Sequence, residues 1–358
     1  GMSETPVREA VRSLAAEGWL ELNAHLGVAV SSVSRALSDH PDVSASMRAK
    51  VRAAADELGY APDLIARSMR SGTTGVVGLV VRDYATPFFG EVIRGIDEVM
   101  SDAGYTLIVT SSGRDAAHES KVIGTLRQRR VEALMLATVS DRDPATRKAL
   151  AAYDRPLVLL DRQFPRLSVP RILFDHASGV RDATADLLAK GHRRIAFVTG
   201  TPDVRPTRER LRGFVAAYRD AGLDEAEAVQ ASEVFSAAVA HDTSARLLGQ
   251  PARLRPTAVI TGGMQATSGV LEAMSDLGLR PGDDVSLVCC DDLPWLRVMR
   301  PRVSAVSRDA SGFGRAAAEQ VLRLVRGDKP ADVVLPTVYE PRETTRPAPR
   351  RAAPRPTS

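Results

Sequence analysis

From Val76 onward the chain alternates short, continuous apolar runs with longer stretches whose apolar residues recur at helical spacing. Runs over 76–81 (VVGLVV), 105–111, 132–139 and 156–161 predict buried strands, with helices over 88–103 and 116–129 between them. Beyond an irregular segment a second set follows. Its strands are predicted over 193–200, near 233–235, and over 257–263 and 285–292. Its helices fall near 177–190, 207–221, 237–249 and 265–278, with a last one over 311–326. Continuous apolarity marks strands covered on both faces, as in parallel sheets flanked by helices. Two such sets predict an α/β body of two doubly wound parallel-sheet lobes. Ligands of such sheets bind beyond the carboxyl ends of the strands, which places a site in the cleft between the lobes.

Ahead of Val76 the pattern changes. Two short helical patterns meet at a turn around Gly27-Val28-Ala29, and the second sets Ser31, Ser32, Ser34 and Arg35 against Val33, Ala36 and Leu37. A helix entering a DNA major groove needs this make-up: short side chains for close approach and an arginine that reaches guanine or phosphate. Ser44 can cap a third helix, in which Met47, Val51, Ala55 and Leu58 keep the helical period and Gly59 marks the end.

These residues resemble the headpiece of the LacI/GalR family of bacterial transcription repressors. VSSVSRAL is similar to its recognition helix, ELGYAPDLIARSMRSG to its third helix and hinge, and the likeness continues through VVGLVVRDYATPFFGEVIRGIDEVM to VVLPTVYEPRETT, about residues 19–345. The resemblance implies a helix-turn-helix headpiece over 1–60, a hinge over 61–74 and an effector-binding and dimerisation domain over 75–345. The last is periplasmic-binding-protein-like, with crossing strands joining the lobes and the last helix returning to the first lobe.

The same resemblance places Val30, Ser31, Ser32 and Arg35 toward the major groove. Ala66-Arg67-Ser68-Met69 matches the hinge motif, with Met69 as the apolar wedge in the minor groove. In the cleft, Phe88 and Phe89 offer aromatic faces for a sugar or purine ring. Asp161 and Asp291 offer acceptors for hydroxyls, Arg210 a clamp for a carboxylate, phosphate or hydroxyl, and Trp295 a further aromatic. Taken singly, each of these polar residues is more often a structural ion pair or a helix cap. Two departures stand out. Gly263-Met264 replaces the family's usual Asn-Asp pair, and Cys289-Cys290 stands where glycine and an aromatic are usual.

Residues 3–22 (SETPVREAVRSLAAEGWLEL) resemble instead the recognition helix and wing of the GntR family, so the segment 1–22 is atypical for the headpiece. Two partial DNA-reading motifs are spliced, as a recombined or shifted start would make them. Ala29 also replaces a capping serine. Both features predict a headpiece that folds less well than a standard one.

Charge adds little. The chain has 48 Lys and Arg against 44 Asp and Glu, and the resulting +4 equals the four arginines of the Pro/Arg stretch 346–358, for which the composition predicts a disordered tail. The DNA assignment therefore rests on placement rather than bulk charge. The adjacent Cys289 and Cys290 are the only cysteines and make no disulfide framework. No export signal or membrane-length apolar run is found, and the expected location is the cytoplasm. Phosphate loop, nucleophile elbow, zinc spacing and dinucleotide fingerprint are all missing, so no enzyme activity, cofactor or metal is expected. The reading is an effector-responsive repressor that binds a near-palindromic operator as a dimer or dimer of dimers, with a carbohydrate or nucleoside effector. The alternative is a cytoplasmic small-molecule binding protein with impaired DNA binding.

Overall fold

The structure, a computed structural model, describes residues 25–37, 41–58, 73–225, 228–231 and 236–349. The GntR-like stretch 3–22 and the hinge candidates Ala66, Arg67 and Met69 lie outside the described residues, as does the strand expected near 233–235. Contacts divide the chain into two compact units, residues 1–74 and 75–358.

In the first unit, Gly27 turns the chain at φ +64°, a conformation that glycine adopts without the clash of a Cβ. Helix α1 (Val30–Leu37) follows, its first turn closed by Ser32 N and Val33 N donating to Ala29 O. Helix α2 (Ala45–Glu57) starts at Ser44, whose hydroxyl accepts from Met47 N at 3.2 Å. Val33 and Ala36 of α1 bury against Val51 and Ala55 of α2, with Leu26, Val28, Val43 and Met47 packed around them. Leu58, expected in this core, instead stands 41% exposed, because the helical period carries it past the small contact with α1.

The second unit holds two sheets of six strands. Lobe 1 contains β1 (Val76–Val81), β2 (Thr106–Ser111), β3 (Ala133–Leu136), β4 (Leu157–Leu160), β5 (Arg171–Phe174) and β11 (Val333–Leu335), in the order β11-β5-β4-β3-β1-β2. Lobe 2 contains β6 (Ile195–Val198), β7 (Val229–Ala231), β8 (Ala258–Thr261), β9 (Ser286–Cys289), β10 (Ser304–Ser307) and β12 (Val338–Glu340), in the order β12-β10-β9-β8-β6-β7. All pairs are parallel except β10 with β12. The central strands are fully buried, as continuous apolar runs require.

Helices α3 (Pro87–Asp102), α4 (Ala116–Gln128), α5 (Pro144–Ala151) and α11 (Ala310–Val325) cover lobe 1. Helices α6 (His176–Ala189), α7 (Arg205–Asp220), α8 (Ala237–Leu248) and α9 (Met264–Asp276) cover lobe 2, and the short α10 (Pro294–Val298) follows β9. The chain thus crosses between lobes three times: after β5, after β10 and between β11 and β12. Asp175 N donates to Leu335 O at 2.8 Å and Thr337 Oγ1 to Asp175 O at 2.7 Å, tying two of the crossings together. Gly179 lets them close up: a Cβ there would overlap Thr337 Oγ1 and lie 2.7 Å from Val306 Cγ1.

Of the expected tail, residues 350–358 lie outside the described residues, and residues 346–348 are tied to lobe 2. Arg346 N donates to Ser286 Oγ, His192 Nε2 meets Arg346 O at 2.9 Å, and Ala348 N donates to Lys190 O. Backbone bonds to lobe 2 hold these residues whatever their composition. Among the described residues, no helix is long and apolar enough to cross a membrane.

Candidate functional site

The first candidate surface is helix α1. With Val33 and Ala36 turned inward, Ser31 and Arg35 (four residues apart, hence on one face) are exposed, and Ser32 is half-buried beside them. Val30 opens the helix. Two turns of helix thus present a small hydroxyl near the N-terminus and a guanidinium one turn later, above a fixed apolar base.

The second lies in the body, where the strands of both lobes end. A cavity of about 240 Å³ is lined from lobe 1 by Arg82, Phe88, Phe89, Asp161 and Arg162, and from lobe 2 by Arg210, Gly262, Gly263 and Asp291. Arg308, on the crossing after β10, lines it as well. Asp161 follows β4 at φ +55°, a left-handed conformation in which asparagine and aspartate are enriched. Its Oδ1 accepts from Phe174 N and Arg205 Nη1, both at 3.3 Å, and its Oδ2 faces His176 Nε2 at 2.7 Å. Burial alone would raise the Asp161 pKa; the charges of His176, Arg162 and Arg308 outweigh it and hold the carboxyl well below the ordinary range. Burial in turn pushes His176 down to about 4, with Asp161 opposing. His176 is therefore neutral near neutral pH, and the nitrogen facing the ionised carboxylate is the one that carries the proton.

Asp291, past β9, accepts from Arg308 Nη2 at 2.6 Å and Nε at 3.1 Å. The same guanidinium lies 3.9 Å from Asp161 and 3.6 Å above the centre of the Phe88 ring. Arg308 thereby touches side chains of both lobes. Arg210 is buried, and its Nη1 donates to Gly262 O at 2.7 Å. Opposite, Asp141 of lobe 1 grips the start of α7: its Oδ2 accepts from Arg205 N at 2.6 Å and Arg208 Nη2 at 2.9 Å. Burial raises the Asp141 pKa against these donors and Arg162.

Five of the six cleft residues expected from sequence come together in this cavity: Phe88, Phe89, Asp161, Arg210 and Asp291. Trp295 does not. It sits on α10, 38% exposed and away from the lining, because Leu293 and Leu296 are the residues of this stretch that turn into the lobe 2 core. Two of these residues are already engaged in part: Asp161 by Phe174 N, His176 and Arg205, and one face of Phe88 by Arg308. The Gly262-Gly263 pair has a steric cause: a Cβ at Gly262 would overlap Thr199 Oγ1, and Gly263 sits at φ +150°. Cys289 and Cys290 are buried free thiols, pushed up by burial to about 11 and about 12.

Sequence reasoning missed Arg82, Arg114, Arg162 and Arg308 in the lining and His176 behind it. The signal was available for two of them. Arg82 and Arg162 each stand within two residues of the end of β1 or β4, the same placement that marked Asp161 and Asp291.

Comparison with known proteins agrees with this architecture. Residues 24–63 match the description "Bacterial regulatory proteins, lacI family", and residues 184–345 match "Periplasmic binding protein-like domain". The chain is 31% identical over 301 residues to the ribose operon repressor of Escherichia coli K12, across 84% of this chain and 90% of that one. It resembles in fold the lac repressor dimer bound to operator and the anti-inducer ONPF, with a TM-score of 0.79 at 24% identity over 91% of this chain and 98% of that one. A complex of the transcriptional regulator CelR with cellobiose is 27% identical, with a TM-score of 0.68 over 90% of this chain and 98% of that one.

Proposed function

This chain belongs to the lacI family of bacterial regulatory proteins, and we propose that it represses transcription as a dimer on a near-palindromic operator, released or tightened by a sugar-like or nucleoside-like effector in the cleft. The observation that carries the reading is the polar cavity lined from both lobes at the strand ends, in a chain whose first unit presents Ser31 and Arg35 outward. The name of the ribose operon repressor and the cellobiose complex of CelR support a carbohydrate. A two-fold pair of α1 helices would read two half-sites, with Val30, Ser31, Ser32 and Arg35 at base edges or phosphates. Ala66, Arg67 and Met69 would enter the minor groove between the half-sites.

Closure of the lobes on an effector acts on the crossings, which carry Asp175, Arg308 and Thr337. A coupling of this kind is typically about 1–3 kcal/mol and is reciprocal. The test is fluorescence anisotropy of the full chain on DNA upstream of its own gene, with sugars and nucleosides added in turn. One compound is expected to shift operator affinity by at least roughly fivefold, and saturating operator should shift that compound's affinity by the same factor. No sequence-specific binding in any condition would overturn the reading.

A further inference from the structure

Five arginines reach the cavity wall, Arg82, Arg114, Arg162, Arg210 and Arg308, against two carboxylates, Asp161 and Asp291. Their partners divide them. Arg308 is neutralised by Asp291, and Asp161 is occupied by His176 and Arg205. Arg114 pairs with Asp83 at 2.7 Å. Arg162 lies 3.9 Å from Asp141 and donates to the carbonyls of Thr138 and Asp161. Arg210 has only the neutral carbonyl of Gly262 as its hydrogen-bond partner among the described residues. Arg82 has no carboxylate within ion-pair reach among them, and its Nε is closed off from solvent without a hydrogen-bond partner. Two guanidiniums, one from each lobe, therefore face one cavity without counter-charge.

Such a wall is costly unless something fills it. Burial and then the charges of Arg162, Arg114, Arg210 and Arg308 push Arg82 down to about 9, so the arginines repel one another across the cavity. The backbone points the same way. Helices α4, α5, α6, α8 and α11 of this unit each have a side chain accepting at the first turn. Of the three helices whose first turns line the cavity, α7 meets Asp141 of lobe 1 at Arg205 N, whereas α3 and α9 have no side chain accepting there. The positive ends of α3 and α9 add to the arginines instead of being quenched by an Asp or Ser.

We infer that the effector is a phosphorylated monosaccharide whose phosphate is held by Arg82 from lobe 1 and Arg210 from lobe 2. The inference rests on the ligand-responsive reading above and narrows its ligand class. A phosphate monoester carries close to two negative charges near neutral pH and accepts from several donors at once. It matches two unneutralised guanidiniums, whereas a carboxylate leaves one over. The cavity volume is below the roughly 300–1,000 Å³ of drug-sized pockets, which limits the occupant to one small ring. Because the two arginines belong to different lobes, a phosphate held by both ties the lobes together.

The experiment uses the full chain, with inorganic phosphate as the decisive probe. Millimolar phosphate is expected to raise Tm beyond chloride or acetate at matched ionic strength. Arg82→Gln and Arg210→Gln are each expected to weaken phosphate binding by roughly tenfold or more in calorimetry. Arg82→Lys, which keeps the charge, should retain most of it. Without ligand, Arg82→Gln should unfold at a higher temperature than the wild type, since an unpaired charge is gone; an arginine with a merely structural role would lower it. The phosphate ester of ribose or glucose should bind more tightly than the free sugar. The inference is overturned if phosphate acts no better than chloride, if acetate matches it, if both glutamine variants bind phosphate like the wild type, or if a neutral sugar binds as well as its ester. Failure of the regulatory reading is separate: it shows as absence of sequence-specific DNA binding by the wild type both without ligand and with each compound added.

Discussion

In the headpiece the polar residues assigned to function, Ser31 and Arg35, stand exposed over a buried base of Val33 and Ala36. In the cleft Asp161, Arg162, Arg210 and Asp291 are each at most 8% exposed, and most are held by other charged groups. The difference separates two kinds of site. On α1 a side chain can be removed while the core beneath it stays intact, so recognition varies independently of folding. In the cleft the ligand wall is also an internal charge network, and a change in one member unsettles the rest.

The largest effect is therefore expected in the cleft. Asp161→Ala leaves His176, Arg205 and Arg308 facing a missing carboxylate and should cost about 3–5 kcal/mol in urea unfolding. A loss below about 1 kcal/mol would mean that the two arginines and the His176 N–H find other partners and that the network is loosely coupled. A second test exploits His176. Its folded pKa of about 4 lies below the unfolded value near 6.5, so between these the unfolded chain binds a proton that the folded chain does not. Stability should fall as pH drops through that window, by at most about 3 kcal/mol. Glu119 and Asp141, raised by burial, tilt the curve the other way, so the informative quantity is the wild type minus His176→Gln. A difference flat across the window would remove His176 from the network.

The headpiece should respond in the opposite manner. Arg35→Ala is expected to weaken operator binding by about 1–3 kcal/mol while moving the unfolding free energy by less than about 0.5 kcal/mol. Equal losses in both would erase the contrast between headpiece and cleft. The smallest effect belongs to Ser44→Ala, which removes the cap of α2 and should lower protection of its amides by about 1 kcal/mol, leaving the body untouched.

Long apolar runs made the central strands and their helices legible, since a buried parallel strand leaves a mark of its own. The marginal elements left none. RILF of β5 and SAVS of β10 are too short or too polar to stand out, and β11 and β12 span three residues each. Yet these strands build the crossings. At the site, Asp161, Arg210 and Asp291 could be found as polar residues at the ends of apolar runs or on the facing helix. Their partners could not be read: His176 is fifteen residues from Asp161, and Arg308 reaches both lobes only through a strand that the pattern hid. Proximity across a crossing has no signature in local periodicity. The charge at Arg82 was in plain view, but its lack of a counter-ion is a property of three dimensions.

Both sheets take an edge strand from one short stretch, β11 for lobe 1 and β12 for lobe 2, about 250 residues after β1 begins. During synthesis, then, neither lobe can finish before the other: each waits with an unpaired strand edge until residues 333–340 have emerged. The exposed edges of β5 and β10 are open to pairing with other chains throughout that interval. A ribosome stalled before this stretch would leave two incomplete sheets instead of one finished domain and one missing. The crossings that join the lobes in the folded state thus also set a common deadline for their assembly.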